Sequence, residues 1–413
     1  MSKHSNTPEL RFPEFDGEWE EKKLGAEVTF YSGLTYKPDD INFEGTFVLR
    51  SSNIKNGKLV DADNVYVDSN KISCTFVNEG DVIVVVRNGS RNLIGKHARV
   101  NTKLSNTVIG AFMTGIRCYN SKFINSLLDT NNFYREIHRN LGATINQITT
   151  GNFKKMSFYF PDDKEKEKIG EFFGKLDHQI ELEEKKLELL EQQKRGYMQK
   201  IFTQELKFKN SQLENIKWSY KTLEELNSFF TDGNYGESYP KSEDMSDKND
   251  GVAFLRGSNL KKGRITLEDA NYISKKKHSE LTTGHLFLDD IVIAVRGSLG
   301  AVGYVNENMV GNNINSQLAI IRTSNSLLYG KYLLYYLMSN QGKKELLSRV
   351  TGTALKQLPI KQIKQIKVPV PKLHEQHKIA NFLSELDNLI DNQTEKIELL
   401  KERKNGFLQK MFV

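Results

Sequence analysis

The residues best suited to chemistry in this chain are arginines, serines and asparagines that follow short apolar strands. The string Arg50-Ser51-Ser52-Asn53 follows one such strand, and a similar Arg-Gly-Ser-Asn string begins at Arg256. A second pair of polar strings begins at Arg87 and at Arg296. Arginine, asparagine and glutamine carry paired donors and acceptors that fit base edges, whereas serine and lysine suit phosphates. The pattern therefore predicts contacts with double-stranded DNA.

The candidate DNA-binding side chains fall in three loops in each half of the chain. Two of the loops follow apolar strands, and the third follows a glycine near the end of each half. The same strings also suit ordinary turns, so a purely structural role is the alternative. The candidates are Arg50, Ser52, Asn53, Arg87, Asn88, Ser90, Arg91, Asn92, Thr144, Gln147, Arg256, Ser258, Asn259, Arg296, Ser298, Thr353, Lys356 and Gln357.

Catalytic and cofactor-binding motifs are absent from the sequence. The string that begins at Gly89 has five residues between its glycines and a histidine after the lysine, so it does not match a phosphate-binding loop. No Asn/Asp-Pro-Pro-Tyr/Phe string occurs, although an amino-methyltransferase acting on DNA bases is expected to carry one. His374 and His377 are three residues apart but have no third metal ligand nearby. We therefore expect no catalytic residue and no metal site in this chain.

The composition is that of a cytosolic protein with a mild excess of basic residues. The chain has 413 residues, a net charge of +7 and a pI near 9.0, which favours an anionic partner such as nucleic acid. Its two cysteines, Cys74 and Cys118, form neither a metal nor a disulfide framework. The first residues are polar and no apolar run is long enough to span a bilayer. We expect a cytoplasmic protein without a membrane partner.

The elements that must position these loops include a long helix that occurs twice. Residues 161–202 align without a gap with residues 371–412, and about 17 of the 42 positions are identical. Both copies carry apolar residues at alternating steps of four and three, the spacing of a coiled-coil seam. The seam residues are Ile169, Phe173, Leu176, Ile180, Leu187, Leu190, Tyr197 and Ile201 in the first copy, and their counterparts 210 positions later in the second.

Polar residues that interrupt the seam predict how the two helices pair. A parallel pairing at the repeat offset sets Lys194 against Lys404, a buried contact between like charges. An antiparallel pairing in which opposed residue numbers sum to 587 sets Glu183 against Lys404 and Lys194 against Gln393. Burying a charge without a partner costs several kcal/mol of folding free energy, roughly. The sequence therefore predicts the antiparallel register.

The repeat extends beyond the helices into two strand-rich bodies. Residues 47–59 match residues 253–265, and residues 80–90 match residues 289–300. The segments 33–46 and 101–121 match their counterparts 232–252 and 305–325 poorly. The sequence therefore predicts an α+β protein with two similar bodies, each followed by a long helix, and with dissimilar loops. The expected boundaries are 1–160, 161–205, 206–370 and 371–413.

The combination of features resembles the specificity subunits of bacterial type I restriction–modification systems. The lead LRFPEF…GEW, which begins at Leu10, and the helix pattern LDxxI…G(Y/F)(M/L)QK(I/F/M)F carry most of the resemblance. The Gly-Thr-x-x-x-Gln loop and the two variable bodies add to it, and the match runs from about Leu10 to Phe412.

The resemblance implies a division of labour among several subunits. Residues 1–160 and 206–370 would be two target recognition domains, each reading one half of a bipartite, asymmetric DNA sequence. The repeated helices would form an intramolecular antiparallel coiled coil that docks two methyltransferase subunits, and two restriction subunits would complete the complex. S-adenosylmethionine, ATP and Mg²⁺ would belong to these partners, and this subunit would bind no cofactor and catalyse no reaction.

Two other functions compete with this interpretation. A coiled-coil adaptor that binds proteins without DNA specificity would explain the helices, but not the basic loops at the strand ends. A nuclease or methyltransferase acting alone would need motifs that the sequence lacks.

Overall fold

Both kinds of element expected from the sequence, strand-rich bodies and long helices, are present. The computed structural model describes residues 6–141, 146–206 and 218–413. The chain divides into two compact units: unit 1 contains Met1–Lys185 and Thr394–Val413, and unit 2 contains Lys186–Gln393. This division places part of each long helix in each unit, so the domain boundaries proposed from the sequence stay predictions.

Unit 1 is built mainly from short strands and ends on a long helix. Its strands are β1 (Glu20–Lys23), β2 (Thr29–Ser32), β3 (Ile41–Asn42), β4 (Thr46–Leu49), β5 (Ile54–Lys55), β6 (Lys58–Leu59), β7 (Val65–Val67), β8 (Val82–Val85), β9 (His97–Arg99), β10 (Thr107–Ile109), β11 (Met113–Arg117) and β12 (Ser157–Phe160). Its helices are α1 (Leu24–Glu27), α2 (Ser121–Leu128), α3 (Asn131–Asn140), α4 (Thr150–Lys155), the first part of α5 (Asp163–Phe202) and the last part of α10 (Leu373–Met411).

Two four-stranded sheets bring the polar loops of unit 1 to one side. One sheet has the order β2-β11-β8-β9, and the other has the order β10-β4-β7-β3. The β-branched strand β8 is fully buried, and its last residue, Val85, lies opposite Met113, the first residue of β11. Strands β4 and β10 run parallel, with Leu49 opposite Ile109. The polar strings that begin at Arg50 and at Arg87 therefore lie where β4 and β8 end.

Unit 2 repeats this construction. Its strands are β13 (Ser219–Thr222), β14 (Phe229–Asp232), β15 (Met245–Ser246), β16 (Val252–Leu255), β17 (Leu260–Lys261), β18 (Gly263–Ile265), β19 (Asn271–Ile273), β20 (Ile291–Ala294), β21 (Val302–Tyr304), β22 (Asn313–Ile314), β23 (Leu318–Arg322) and β24 (Lys367–Val370). Its helices are α6 (Lys275–Glu280), α7 (Gly330–Met338), α8 (Asn340–Ser348), α9 (Ile360–Lys364), the last part of α5 and the first part of α10 (Leu373–Met411).

The sheets of unit 2 follow the same plan. The larger sheet has the order β14-β23-β20-β21-β18-β17, and the smaller one has the order β15-β19-β16-β22. Strand β20 is fully buried like β8, and β16 runs parallel to β22 as β4 does to β10. The fold class expected from the sequence, α+β with two similar strand-rich bodies and two long helices, is confirmed.

Each body carries two consecutive short helices, α2 and α3 in unit 1 and α7 and α8 in unit 2. Thr130 and Ser339 start the second helix of each pair, because their side chains accept a hydrogen bond from a backbone N–H in its first turn. Each pair therefore consists of two separate helices.

The two long helices run antiparallel. In unit 1 the start of α5 lies against the end of α10, with the Phe172 and Phe407 rings 5.1 Å apart. In unit 2 the end of α5 lies against the start of α10, with the Tyr197 and Phe382 rings 5.1 Å apart. The antiparallel direction predicted from the polar interruptions is correct.

The register predicted for these helices is wrong by about one heptad. Opposed residue numbers sum to 579 or 581 instead of 587. The carboxylate of Glu183 pairs with Lys396 at 2.5 Å, not with Lys404. Lys194 pairs with an aspartate instead of Gln393, and the Gln393 side chain is buried.

The physical reason is that a shift by one heptad gives both seam lysines a carboxylate from the opposite helix. Lys404 lies 2.6 Å from Asp177, and Lys194 forms an ion pair with Asp387. These two pairs are equivalent, because both the lysines and the aspartates are separated by the repeat distance of 210 residues. A shift by a whole heptad also keeps the apolar stripes in contact. It therefore preserves the apolar seam and pairs both lysines with carboxylates.

Lys404 belongs to a partly buried charge cluster in unit 1. Its ammonium lies 2.7 Å from Asp129, and Asp129 lies 3.2 Å from His97 Nε2. Burial opposes ionisation of Asp129, but contacts with His97 and Lys404 outweigh it and lower the pKa of Asp129 to about 2. Burial raises the pKa of Asp177, and Lys404 offsets only part of that rise.

The cluster predicts an acid-sensitive step in the stability of unit 1. The folded pKa of Asp129 is about 2 and its ordinary value is 3.8. Its ionised form therefore stabilises unit 1 above about pH 4, and this stabilisation, about 2 kcal/mol, is lost as the pH falls from about 4 to 2. We expect Asp129→Asn to flatten the fall in unfolding free energy between pH 4 and pH 2, measured by urea titration.

The control for this prediction is Asp177→Asn. Because the pKa of Asp177 shifts in the opposite direction, its removal should leave the acid loss in place. An Asp129→Asn variant that loses stability below pH 4 as steeply as the wild type would contradict the assignment.

Candidate nucleic-acid interface

The three polar loops of unit 1 meet at one edge, which we name polar edge 1 and define as residues 50–53, 87–92 and 146–147. The Asn88 side chain donates to Ser51 Oγ at 3.2 Å, which joins the first two loops. The third loop joins through a β-bridge between Arg87 and Gln147. The Asn146 side chain also donates to the carbonyl oxygen of Gly89 at 3.0 Å. Loops distant in sequence therefore form one polar surface.

The corresponding loops of unit 2 meet in the same way, and we name residues 256–259, 296–298 and 351–357 polar edge 2. A Cβ placed on Gly257 would lie 3.7 Å from Ser298, so the first two loops are in contact. The backbone N–H of Leu358 donates to the carbonyl oxygen of Val295 at 3.0 Å, which fixes the third loop beside the second. The bridge between Thr351 and Gln357 closes that loop on itself.

Most of the predicted DNA-binding residues lie on the surface of these two edges. Arg50, Asn88, Gln147 and Arg256 are half-buried. Thr144 lies outside the described residues. The exposed ones are Ser52, Arg87, Ser90, Arg91, Asn92, Ser258, Arg296, Ser298, Thr353, Lys356 and Gln357.

Asn53 is a structural residue of polar edge 1. It is fully buried, and its Oδ1 accepts from the backbone N–H of Arg50 at 2.9 Å. Its Nδ2 donates to the carbonyl oxygen of Ala62 at 2.6 Å and to Asn64 at 3.1 Å. An asparagine engaged in this way holds a loop closed. Its burial contradicts the predicted contact of Asn53 with DNA.

Asn259 repeats this arrangement in unit 2. It is also fully buried, accepts from the backbone of Arg256 at 3.0 Å and donates to the carbonyl oxygens of Thr266 and Glu268, each at 3.1 Å. The same correction therefore applies to it.

The neighbouring arginines of both edges are also engaged within the fold. The Arg50 guanidinium pairs with Asp63 and also donates to its carbonyl oxygen, and Arg256 donates to the carbonyl oxygen of Asp269 at 3.0 Å. Because the same contacts occur in both units, we infer that these residues support the structure of the loops. The structural role that the sequence left open as an alternative is thus the one observed for the buried asparagines. It also accounts for the contacts of Arg50 with Asp63 and of Arg256 with Asp269.

Three residues at the edges were not singled out by the sequence. Phe112 and Tyr235 are exposed aromatic residues that stack on the guanidinium groups of Arg87 and Arg296. Lys96 donates to the carbonyl oxygen of Ser51 at 3.2 Å, and burial lowers its pKa. Phe112 and Tyr235 lie in segments that differ between the halves, so the repeat offered no signal for them.

Gly33 and Gly233 occupy equivalent positions where two backbone segments touch. A Cβ on Gly33 would overlap the carbonyl oxygen of Gly110, and a Cβ on Gly233 would overlap that of Asn315. Both glycines therefore let the loop that follows β2 or β14 approach a neighbouring backbone segment closely, because a residue with a Cβ would leave no room there.

We expect Gly33→Ala to lower the unfolding free energy of unit 1 by about 2 kcal/mol, because the loop must move away from Gly110. Gly89→Ala is the matched control, since a Cβ there meets no atom within 4 Å. Urea unfolding measures both. Equal stability of the two variants would show that the close approach is not required.

Neither a metal-binding cluster nor a membrane-spanning helix is found among the described residues. Within residues 6–141, 146–206 and 218–413, no three histidine, cysteine, aspartate or glutamate side chains are placed to hold a metal ion. His377 stacks on the Tyr329 ring, with centroids 4.1 Å apart. In the same ranges, no helix combines the length and the apolar character needed to cross a bilayer.

Comparisons with known proteins agree with the geometry of the two units. The family described as type I restriction modification DNA specificity domain matches residues 16–192 and 215–402. The chain is 24% identical to the type I restriction enzyme MjaVIII specificity subunit of Methanocaldococcus jannaschii over 95% of this chain and 92% of that protein. It is 28% identical to the putative MjaX specificity subunit of the same organism over 63% of this chain and 59% of that protein.

A solved structure gives the same result for the fold. The S subunit of a type I restriction–modification system from M. genitalium superposes with a TM-score of 0.61 at 18% identity, over 98% of this chain and 99% of that one. The structural similarity covers the whole duplicated fold, and the family match covers both halves of the chain. The chain belongs to the family of type I restriction–modification DNA specificity proteins.

Proposed function

We propose that this chain reads a bipartite, asymmetric sequence in double-stranded DNA and directs partner subunits to methylate or cleave DNA. The observation that carries the proposal is the recurrence of the same three polar loops at one edge of each unit. Two such edges on one chain suit a target with two separate halves.

Differences between the edges support an asymmetric target. Polar edge 1 continues Arg87-Asn88-Gly89 with Ser90 and Arg91, whereas polar edge 2 continues Arg296-Gly297-Ser298 with a leucine. The third loop presents Asn146 in unit 1 and Lys356 in unit 2. Because amide, guanidinium and ammonium groups prefer different base edges, the two units are expected to read different sequences.

The remaining parts of the proposal concern the partners. The chain would act in the cytoplasm with two methyltransferase subunits and, in the full complex, two restriction subunits. S-adenosylmethionine, ATP and Mg²⁺ would be bound by those partners, and this chain would supply no catalytic residue. The absence of the sequence motifs for these ligands supports this assignment.

A methyl-transfer assay with separated subunits tests the proposal. Duplex DNA and S-adenosylmethionine are incubated with this chain alone, with the methyltransferase subunit of the same system alone, and with both. We expect transfer only when both are present, and only to duplexes that contain one particular sequence. Transfer by this chain alone would make it an enzyme, and transfer by the pair without sequence preference would favour the protein-binding adaptor.

The salt dependence of binding provides a second readout. The affinity of the complex for duplex DNA should fall steeply between about 50 and 200 mM salt, because lysines and arginines that contact phosphates release counterions on binding.

A further inference from the structure

One arginine at each polar edge lies over an exposed aromatic ring. The Arg87 guanidinium lies 4.9 Å from the centroid of Phe112, and the Arg296 guanidinium lies 5.6 Å from that of Tyr235. Both arginines are exposed, and the rings are 53% and 42% exposed. Each arginine follows the fully buried central strand of its unit, so its backbone position is fixed by the core.

These two arginines differ from the other arginines that follow or flank the central strands. Arg117 and Arg322 form ion pairs with buried aspartates at 2.7 and 2.8 Å. Arg50 is paired with Asp63. Among the described residues, no carboxylate lies within 4 Å of the Arg87 or Arg296 guanidinium nitrogens, so their donors are not consumed inside the fold.

The stacked rings come from different elements in the two units. Phe112 belongs to the turn between β10 and β11, and its carbonyl oxygen accepts from the backbone N–H of Arg87 at 3.2 Å. Tyr235 follows β14, and its hydroxyl donates to the carbonyl oxygen of Ser316 at 3.0 Å. The arginine is thus common to both units, whereas a dissimilar loop in each unit supplies its ring.

A guanidinium that lies parallel to an aromatic ring keeps its edge free. The face of the cation is held by the ring quadrupole, while the N–H donors point outward in one plane. Two parallel N–H donors in one plane match O6 and N7 of guanine in the major groove, which is the commonest specific contact of arginine with DNA. A lysine ammonium cannot make this planar pair of contacts.

We propose that Arg87 and Arg296 each read one guanine, one in each half of the DNA target, with Phe112 and Tyr235 as positioning residues that set the plane of the guanidinium. This inference rests on the proposed function, because it assumes that the polar edges face DNA. It adds that each half of the target contains a guanine whose recognition depends on a single stacked arginine.

The test uses the complex of this chain with the methyltransferase subunit of its own system. The methylated sequence is first mapped with the wild-type chain, and duplexes are then made with each guanine position replaced by the other bases. We compare Arg87→Lys, Arg296→Lys and Phe112→Leu with the control Arg139→Lys. Arg139 lies on α3 in the same unit, outside polar edge 1, and its exposed guanidinium pairs with Glu136.

We expect Arg87→Lys to reduce discrimination at one guanine of one half-site by about ten-fold or more, and Arg296→Lys to do so in the other half-site. Phe112→Leu should reduce discrimination at the same position as Arg87→Lys by a smaller factor. Arg139→Lys should leave base preference unchanged. Unfolding followed by Trp fluorescence confirms that each variant is folded.

Two results would overturn the inference. A uniform fall in methylation at all sequences, with unchanged base preference, would make these arginines phosphate contacts. Unchanged discrimination at every guanine would remove them from the interface. Failure of the proposed function is distinguishable, because the wild-type chain would then select no sequence at all.

Discussion

Replacing Lys404 with alanine should lower the unfolding free energy of unit 1 by about 3 kcal/mol, the lower end of the cost of breaking a buried ion pair. The Lys404 ammonium lies within 2.7 Å of both Asp129 and Asp177, and 14% of its side chain is exposed. Its removal leaves two neighbouring carboxylates without this cation. The lower end applies because both carboxylates keep some contact with water.

The chain allows the two units to be followed separately. Its only two tryptophans are Trp19 in unit 1 and Trp218 in unit 2. Trp19 is buried and packs edge-on against Phe412 at the end of α10, with ring centroids 6.2 Å apart. In a Trp218→Phe background, Trp19 fluorescence during urea unfolding therefore reports on unit 1.

Lys401→Ala is the matched control for this experiment. Lys401 pairs with Glu184 at 2.7 Å on the same helices, but 48% of its side chain is exposed. Exposed pairs contribute about 0–1 kcal/mol, so this variant should be close to the wild type. Equal losses in the two lysine variants would refute the view that the heptad shift is driven by the buried lysine.

Replacing Asn53 with alanine should destabilise unit 1 by about 3 kcal/mol, since several buried backbone groups lose their hydrogen-bond partner together. The Asn53 side chain satisfies the N–H of Arg50 and the carbonyl oxygen of Ala62. Asn259→Ala should have the same effect on unit 2, followed by Trp218 fluorescence in a Trp19→Phe background.

Asn92→Ala is the control for these variants. Asn92 is exposed on the same polar edge, and its loss should change stability by about 0.5 kcal/mol or less. The asparagine variants that still fold should methylate the same DNA sequence as the wild type. An Asn53→Ala variant that keeps its stability but methylates a different sequence would restore Asn53 as a DNA contact.

Internal repetition made the architecture predictable from the sequence. The 210-residue repeat marked both long helices, and the apolar residues before Arg87 marked a strand that is buried in the structure. The antiparallel direction followed from the cost of opposing Lys194 and Lys404. The register did not follow, because the carboxylates that pair with the lysines, Asp177 and Asp387, flank the seam and are not part of its apolar pattern.

The position of the candidate interface could be predicted from the sequence. The role of each residue in it was harder to predict. The sequence identified the loops that meet at both polar edges. It could not distinguish Asn53, which is buried within its own loop, from Asn92, which is exposed, because both follow an arginine in a polar string. It also gave no indication of Phe112, because the partner that gives this ring a role is 25 residues away and the contact is tertiary.

The most direct measurement is a map of methylated bases in the genome of cells that express this chain with its methyltransferase subunit. The account predicts one motif with two defined halves, different from each other and separated by a gap of unspecified bases. Methylation at the motif should vanish when this chain is omitted. A continuous motif, or one that persists without this chain, would contradict the claim that its two units choose the DNA sequence.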